Sequence, residues 1–334
     1  MKKVTLIEGD GIGPEITASV KAIFKAAQVP IEWEEENAGQ VTFESKGQLI
    51  PDTLIASLNR NKVALKGPIT TPVGKGFKSV NVQLRQMFEL YQNLRPCISQ
   101  EGLPSKFDNV NLVLFRENTE GLYSGLEFFD ERLGISDSIA RVTKEGCINI
   151  VKAAFEYAHK FGKKKITLVH KANILKSAGK LFIDAGNAVA KDYPDIVLED
   201  KIIDNMCMQL VMRPEQFEVV VTTNLFGDIL SDLCAGLVGG LGIVAGANIG
   251  NEVAIFEAVH GTAPDIAGQN KANPTALIKS AILMLNHLGL QDYGDKIDQA
   301  LVETLKNPAT RTGDLGGKAG TKEFTTHVID NLKK

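Results

Sequence analysis

The strongest constraint on the fold is an apolar block that runs directly into a helical pattern. The block is Glu218-Val-Val-Val-Thr-Thr223, and its β-branched residues predict a buried strand. It continues into Asn224-Leu-Phe-Gly-Asp-Ile-Leu-Ser-Asp-Leu-Cys234, where apolar residues recur at helical spacing. The helix is expected to begin near Asn224 or Gly227. The sequence therefore predicts a strand, a turn and a helix in that order.

Two aspartates on this helix suggest a metal site. Asp228 and Asp232 are four residues apart, so their carboxylates share one helix face among apolar neighbours. Like charges at this spacing repel each other, and their desolvation adds a further cost. A divalent cation would compensate, and hard oxygen ligands favour Mg²⁺ or Mn²⁺. An isolated pair of this kind more often faces solvent, so the metal hypothesis needs support from elsewhere in the chain.

The composition indicates a globular protein large enough for two domains. The chain has 334 residues, of which 44% are hydrophobic and 23% charged, and its formal net charge is −3. Because it has no Lys/Arg-rich block, we expect neither nucleic acid nor a membrane surface as a partner. The four cysteines are far apart and form no C-x-x-C pair, which favours buried thiols over a zinc site or disulfides.

The start of the sequence shows no targeting pattern. Met1-Lys-Lys3 leads directly into the strand-like segment Val4–Glu8, and no apolar run reaches membrane-spanning length. These features predict a cytoplasmic location.

A glycine-rich turn follows this first strand. The segment Gly9-Asp-Gly-Ile-Gly-Pro-Glu15 has Pro14 where the G-x-G-x-x-G dinucleotide fingerprint requires its last glycine, so that fingerprint is absent. The turn is interpreted as one that exposes its backbone near a ligand, with Pro14 in the first helical position. A plain turn is an equally good local interpretation.

Three arginines lie beside small polar residues. The segment Lys78–Tyr91 is predicted to be a helix after a loop over 69–76, and Ser79 and Asn81 stand at its start, where exposed N–H groups suit an anion. An arginine near a strand end usually pairs with an acid, but three together favour a polycarboxylate pocket, because guanidinium groups bind carboxylates bidentately. They are Arg85 in this helix, Arg95 in Asn93-Leu-Arg-Pro96, and Arg116 at the end of an apolar strand.

Two predicted strands deliver polar residues to their carboxyl ends, where ligand sites gather in α/β folds. Lys171 and Asn173 follow one strand, which begins at Lys165. Asp204 follows the strand predicted over Val197–Ile203 and could be a solvated acid or a third metal carboxylate. Alternating strand and helix signals along the chain predict an α/β fold with two parallel sheets.

Two loops hold further candidates. Tyr123 lies in the turn-rich segment Gly121-Leu-Tyr-Ser-Gly125 and could line a pocket, although most tyrosines are packing residues. A second loop follows a predicted strand and holds His260, Asp265 and Ile266.

Taken together, these stretches resemble the decarboxylating 3-hydroxyacid dehydrogenases, which comprise the isocitrate, homoisocitrate and isopropylmalate dehydrogenases. The resemblance covers nearly the whole chain. It rests on the glycine turn, Leu90-Tyr-Gln-Asn-Leu-Arg-Pro96, Arg116-Glu-Asn-Thr-Glu-Gly121, His170-Lys-Ala-Asn173, Asn224-Leu-Phe-Gly-Asp-Ile-Leu-Ser-Asp232 and His260-Gly-Thr-Ala-Pro-Asp-Ile-Ala-Gly268.

The resemblance implies a non-Rossmann, two-domain α/β fold with the active site in the cleft between the domains. The large, cofactor-binding domain would comprise residues 1–97 and 240–334, and a small dimerisation domain would comprise 98–239. Each active site of the homodimer, or higher homo-oligomer, would take residues from two subunits.

The resemblance also implies a role for each candidate residue. Tyr123 and Lys171 would handle protons, with Lys171 acting through water at the substrate hydroxyl and Tyr123 protonating the enol. Asp228 and Asp232, with Asp204 of the other subunit, would hold Mg²⁺ or Mn²⁺. The substrate would be bound by Ser79, Asn81, Arg85, Arg95, Arg116, Tyr123, Lys171 and Asn173. NAD would be bound by Ile12, Thr70, Thr71, Glu257, His260, Gly261, Thr262, Ala263, Asp265, Ile266 and Asn273.

Two positions discriminate within the family. Ser79 and Asn81 are polar where isopropylmalate enzymes are apolar, which favours isocitrate and the tricarboxylic acid cycle reaction. Asp265-Ile266 favours NAD, because a carboxylate accepts hydrogen bonds from ribose hydroxyls and repels a 2′-phosphate. The pattern is most similar to catalytic subunits of NAD-dependent isocitrate dehydrogenase.

Several alternatives stay open at this stage. Homoisocitrate differs from isocitrate by one methylene, which changes preference by only about 1–3 kcal/mol, and isopropylmalate is a further candidate substrate. A non-catalytic regulatory subunit of a hetero-oligomer is the alternative from another class, although such a subunit would be expected to lack some of the metal or proton-handling residues. A metal-dependent hydrolase would leave the arginines unexplained.

Overall fold

The computed structural model describes residues 1–71 and 78–333, so the predicted loop over 69–76 lies outside the described residues from position 72 onward. Within these ranges, ten strands form one sheet in the order β2-β1-β3-β12-β11-β4-β5-β10-β8-β9, and β6 and β7 form a separate hairpin. In chain order the strands are β1 Lys2–Ile7, β2 Ile31–Glu36, β3 Val63–Lys66, β4 Gln92–Ile98, β5 Asn111–Glu117, β6 Gly121–Asp130, β7 Ile135–Arg141, β8 Lys165–His170, β9 Val197–Ile202, β10 Val219–Thr222, β11 Ala245–Ile249 and β12 Ala254–Ala258.

Helices flank the sheet and bury one apolar stripe each. They are α1 Gly13–Ala26, α2 Gln40–Lys46, α3 Asp52–Asn61, α4 Val80–Met87, α5 Lys144–Lys160, α6 Lys176–Ala190, α7 Ile203–Met212, α8 Asn224–Val238, α9 Thr275–His287, α10 Gln291–Lys306 and α11 Thr321–Asn331. No helix in the described part of the chain is both long and apolar enough to cross a bilayer.

The sheet corrects the prediction of two parallel sheets. Two parallel groups exist, but β11 and β4 run antiparallel to their neighbours and join the groups into one sheet. The periodicity of a strand reports its burial and not its neighbour in the sheet, so the junction could not be read from the sequence.

Three further local predictions differ from the structure. The helix predicted to reach Tyr91 ends at Met87, because Glu89 adopts a left-handed φ of 49° before β4 begins. Tyr123 lies within strand β6, not in a turn. Asp204 lies in the first turn of α7, since its strand ends at Ile202.

The glycine turn is packed against the loop after β3. Gly9 has a left-handed φ of 77°, and a Cβ on it would overlap the carbonyl of Pro68. Only glycine fits both conditions. The packing of the turn therefore explains this glycine, and no dinucleotide fingerprint is needed.

Helix α8 approaches strand β5 closely at Gly227. A Cβ on this glycine would lie 2.5 Å from Cγ of Arg116, so the helix rests directly on the arginine stem. Both residues lie below the cleft described in the next subsection. The absence of a side chain at Gly227 therefore sets where that arginine points.

Gly227→Ala is expected to destabilise the protein by about 1–3 kcal/mol, because the added methyl forces helix and arginine apart. Gly236→Ala is the matched control on the same helix, since its added Cβ would meet nothing within 4 Å. That control is expected to be neutral or stabilising by up to about 1 kcal/mol. Urea unfolding of both variants measures the difference, and equal free energies of unfolding would contradict the close contact.

Candidate active site

Three buried arginines converge on one cleft. Arg85 comes from α4, Arg95 from β4 and Arg116 from β5, and Arg116 is only 1% exposed. In the antiparallel register of β4 and β5, Arg116 lies opposite Asn93. Arg85 acts electrostatically on both Arg95 and Arg116, so the three guanidinium groups lie within electrostatic reach of one another.

Helix α8 turns a polar face toward these arginines. Arg116 donates to Oδ1 of Asn224 from Nε at 3.0 Å and from Nη2 at 2.7 Å, and its Nη1 pairs with Asp228. Arg95 donates to the Ser231 hydroxyl and lies 3.5 Å from Oδ1 of Asp232. Asp228 and Asp232 thus both extend from α8 toward the arginines.

Burial and like charges act on the arginines together. Burial and the nearby Arg85 lower the pKa of Arg116 to about 10, with Asp228 opposing them. The pKa of Arg95 is lowered by the same two causes. The site is thus rich in positive charge and shielded from water, which favours a polyanionic ligand.

Tyr123 and Asp228 form a hydrogen-bonded pair at the cleft. The Tyr123 hydroxyl donates to Oδ2 of Asp228 at 2.6 Å. Burial opposes ionisation of Asp228, but this hydrogen bond and the charges of Arg116 and Arg95 outweigh it and lower the pKa of the carboxyl. Burial and the Asp228 carboxylate raise the pKa of Tyr123, so its phenol stays protonated at neutral pH.

The candidate metal ligands are only partly assembled within one chain. The side chains of Asp228 and Asp232 are 43% and 62% exposed and offer hard oxygen donors on successive turns of α8, which fits Mg²⁺ or Mn²⁺. Asp204 pairs instead with Lys171 at 2.7 Å. In residues 1–71 and 78–333, no three acidic, histidine or cysteine side chains gather to hold a cation. A metal here would need further donors from outside the chain.

A second charged group faces the arginines from the other half of the sheet. The buried carboxylate of Glu257 lies 2.6 Å from Nζ of Lys66 and 3.5 Å from Nη2 of Arg85, and it accepts from Asn248 at 2.6 Å. Burial opposes its ionisation, but Lys66, Arg85 and Asn248 lower the pKa of Glu257 to about 2.

Sequence reasoning missed several members of the site. Lys66 ends the apolar strand β3 and is buried, and a lysine at the end of a fully buried strand is a signal that could have been used. Asn224, Ser231 and Asn248 gave no such signal, because an asparagine or serine is common in any helix or strand end.

The glycine turn and the loop after β12 are bonded to each other. The Ile12 N–H donates to the Thr262 carbonyl at 2.9 Å, and the hydroxyls of Thr70 and Thr262 are 3.0 Å apart. The Thr70 N–H donates to the carboxylate of Asp10 at 2.8 Å. Residues predicted to bind the cofactor therefore come together from three distant segments.

His260 presents an unsatisfied nitrogen in this region. Its Nδ1 lies 3.0 Å from the Gly261 carbonyl, so Nδ1 carries the proton, and burial lowers the pKa of the ring. Its Nε2 is buried with no hydrogen-bond partner. A buried acceptor without a partner is costly, which fits a ligand that donates a hydrogen bond there.

The remaining predicted residues lie around the same cleft or on its margins. Ser79 caps α4, the Thr71 hydroxyl accepts from the Val80 N–H at 3.1 Å, and Oδ1 of Asn81 is buried without a partner. Asn273 donates to Asp314 at 2.9 Å, while Asp265 and Asn173 are exposed. Ala263 has a left-handed φ of 39°, in the turn that leads to Ile266.

One cleft connects Arg85 and Arg95 with some of the cofactor candidates. It is lined by Lys66, Asn81, Arg85 and Arg95 on one side and by His260 and Gly261 on the other. The cleft can therefore hold a small polyanion beside a larger ligand on the His260 loop.

Comparison with known proteins shows which family the chain resembles along its length. The isocitrate/isopropylmalate dehydrogenase family model matches residues 3–330. The chain is 50% identical to the mitochondrial NAD isocitrate dehydrogenase subunit 2 of Schizosaccharomyces pombe, over 99% of this chain and 87% of the relative. It is 51% identical to a mitochondrial NAD isocitrate dehydrogenase regulatory subunit of Dictyostelium discoideum, over 99% of this chain and 92% of the relative.

A solved structure shows the same fold. The crystal structure of isocitrate dehydrogenase from Methylococcus capsulatus matches with a TM-score of 0.96 and 48% identity, and each chain is covered completely. The predicted α/β fold class of this family is therefore confirmed.

The predicted cytoplasmic location is wrong on this comparison. Both of the relatives described above carry the word mitochondrial in their names. The prediction relied on the first residues of the sequence, and a targeting leader is a separate segment that is removed from the mature protein.

The family match spans almost the whole chain, and relatives at half identity or more are named as NAD-dependent isocitrate dehydrogenases. The predicted resemblance and the assignment to the NAD-dependent oxidoreductases are confirmed. The chain therefore belongs to the isocitrate/isopropylmalate dehydrogenase family.

Proposed function

We propose that this chain catalyses the NAD-dependent oxidative decarboxylation of isocitrate to 2-oxoglutarate and CO₂, with Mg²⁺ or Mn²⁺. The observation that carries the proposal is the grouping of three buried arginines, Arg85, Arg95 and Arg116, with Asp228 bonded to both Arg116 and Tyr123. Three guanidinium groups bind the carboxylates of a tricarboxylate better than they bind any apolar substrate.

Polar groups at the start of α4 favour isocitrate over isopropylmalate. The Ser79 hydroxyl caps the helix, and Asn81 points a buried, unpartnered amide oxygen into the same cleft. An isopropyl group placed there would leave the Asn81 amide oxygen unsatisfied, which costs about 1–3 kcal/mol for a buried polar group. Homoisocitrate has the same polar end group and one extra methylene. It is therefore the substrate that is hardest to discriminate from isocitrate.

The proton steps are assigned to residues of this chain. Asp228 and Asp232, with Asp204 of a second protomer, would hold the cation. When bound, the cation would polarise the C1 carboxylate and C2 oxygen of the substrate, and NAD⁺ would accept the hydride from C2. Lys171 acts through water as the base at the hydroxyl, and Tyr123 delivers a proton to C3 after CO₂ leaves. The raised pKa of Tyr123 keeps that proton available.

The cofactor is assigned to the loop that carries His260. Its unpartnered Nε2 would accept a hydrogen bond from NAD, and the exposed carboxylate of Asp265 would accept from ribose hydroxyls. The bonded segments that contain Ile12, Thr70 and Thr262 would form the wall behind the dinucleotide. Thr71, Glu257, Gly261, Ala263, Ile266 and Asn273 complete the assigned set.

The two-domain, dimeric arrangement is supported by where apolar side chains are exposed. Met212 on α7, Ile229 on α8 and Phe128 and Phe129 on β6 are all exposed. All lie within 98–239, the proposed small domain, whereas 1–97 and 240–334 form the proposed large domain. Apolar surface of this kind favours an interface between protomers, and a second chain there would bring its Lys171 and Asp204.

A catalytic role fits the chain better than a purely regulatory one. One relative has the word regulatory in its name. In this chain, however, each residue proposed for proton transfer or metal binding is present, and Tyr123 and Asp228 are already bonded to each other.

The first test is a substrate survey of the purified protein. With Mn²⁺ and NAD⁺, kcat/KM for isocitrate is expected to exceed that for homoisocitrate by about tenfold or more and that for isopropylmalate by more still. NADP⁺ is expected to be the poorer cofactor. Chelator should abolish NADH formation, and added Mn²⁺ should restore it. Preference for another acid, or full turnover in chelator, would refute the proposal.

Tyr123→Phe is expected to lower kcat for isocitrate by about 10²–10⁴-fold, because the proton donor for C3 is removed. Reduction of oxalosuccinate should remain measurable, since that half-reaction needs no proton from the phenol. Tyr157→Phe is the control, as it removes a hydroxyl from a tyrosine that packs on Phe115 away from the cleft. Unchanged turnover in Tyr123→Phe would rule out its role.

Shared active sites can be tested by mixing protomers of two variants. Lys171→Met and Asp228→Asn should each be nearly inactive alone. After unfolding and refolding together, mixed dimers would contain one intact site in two, so about a quarter of wild-type activity is expected. Refolding each variant alone is the control. If mixing restores nothing while the wild type refolds with full activity, each site is built from one chain.

A further inference from the structure

We propose that Asn248 is a positioning residue for the substrate pocket, because it fixes the orientation of Glu257 and through it the places of Lys66 and Arg85. The inference rests on the proposed function and adds to it a residue that touches neither substrate nor cofactor. Asn248 lies on β11, in the antiparallel junction between the two parallel parts of the sheet, and is buried.

The orientation of the Asn248 amide is assigned through its neighbour Asn118, which bonds to a backbone carbonyl. Nδ2 of Asn118 donates to the Leu90 carbonyl at 3.1 Å, which identifies it as a donor. The same Nδ2 lies 2.9 Å from Oδ1 of Asn248, and Nδ2 of Asn93 lies at 2.9 Å from that oxygen as well. Oδ1 of Asn248 is thus the acceptor for two amides, and its Nδ2 must face Glu257, 2.6 Å from Oε1.

Glu257 is surrounded by positive charge on its other sides. Lys66 from β3 lies 2.6 Å from Oε2, Arg85 from α4 lies 3.5 Å from Oε1, and Arg95 from β4 acts on it electrostatically. Asn248 is the neutral donor in this group. Without it, the carboxylate could rotate to satisfy one cation at the expense of the other.

This orientation matters because Lys66 and Arg85 both line the cleft. A rotation of Glu257 would move two of the cations that face the proposed tricarboxylate. The consequence is a loss of substrate affinity rather than of the chemical step, since the proton-handling Tyr123 bonds to Asp228 and not to the Glu257 group.

The test is Asn248→Asp, a change of nearly equal shape that replaces the donor by a carboxyl facing Glu257. When both acids are ionised they repel, and the KM for isocitrate is expected to rise by about tenfold or more while kcat changes less. When the pair shares a proton, the hydrogen bond is restored. The ratio of variant KM to wild-type KM is therefore expected to be larger at high pH and to fall as the pH is lowered.

A merely structural role would give a KM ratio that is constant with pH, and that result would overturn the proposal. Asn61→Asp is the matched control, because it likewise replaces an amide donor to a glutamate, Glu34, by a carboxyl, at a site that does not line the cleft. Its KM is expected to stay within about threefold of the wild type. An equal rise in both variants would also overturn the proposal, since the effect would then belong to packing.

A second readout needs no turnover. The introduced carboxyl has a higher pKa in the folded protein than in the unfolded chain, so its destabilisation should be absent at low pH and appear as the pH rises. Thermal unfolding of the ligand-free variant and wild type across pH measures this difference. If isocitrate neither binds to nor reacts with the wild type, the proposed function fails. The pH dependence of thermal unfolding still tests the link between Asn248 and Glu257 in that case. A pH-independent Tm difference would refute that link.

Discussion

The burial of three arginines in one place is the constraint on which the rest of the site depends. Burial, together with the like charge of Arg85, lowers the pKa values of Arg95 and Arg116. Two groups of acids balance them: Asp228 and Asp232 on α8, and Glu257 on β12. The cleft lies between these groups, so the fold keeps a concentration of positive charge that water alone would not stabilise at this depth.

The antiparallel junction explains how one sheet brings both groups of acids to the arginines. Strand β4 carries Arg95, and its partner β11 carries Asn248, which bonds to Glu257 beyond it. Strand β5 carries Arg116 and lies against α8 at Gly227. The reversal of strand direction therefore coincides with the position of the site, as expected where the order of strands changes.

The sequence predicted much of the site but little of what supports it. The shared face of Asp228 and Asp232 followed from helical spacing, and the three arginines followed from their common setting among small polar residues. The partners Asn224 and Asn248 could not be predicted, because they meet the site across contacts between distant segments, whereas Lys66 at the end of a buried strand left a usable signal. For the same reason, the single sheet was predicted as two. The sequence predicted Asp204 directly after a strand, whereas Asp204 lies in the first turn of α7.

The contact between Gly227 and Arg116 has a mechanical consequence. Because no side chain separates them, α8 and β5 pack directly against each other. The Arg116 guanidinium and the Asp228 carboxylate are therefore held together. Elements β3, β12 and α4 are tied together by Lys66, Glu257 and Arg85. Strands β11 and β4 lie between β12 and β5 in the sheet, so they are the part of the fold that joins these two sets of contacts.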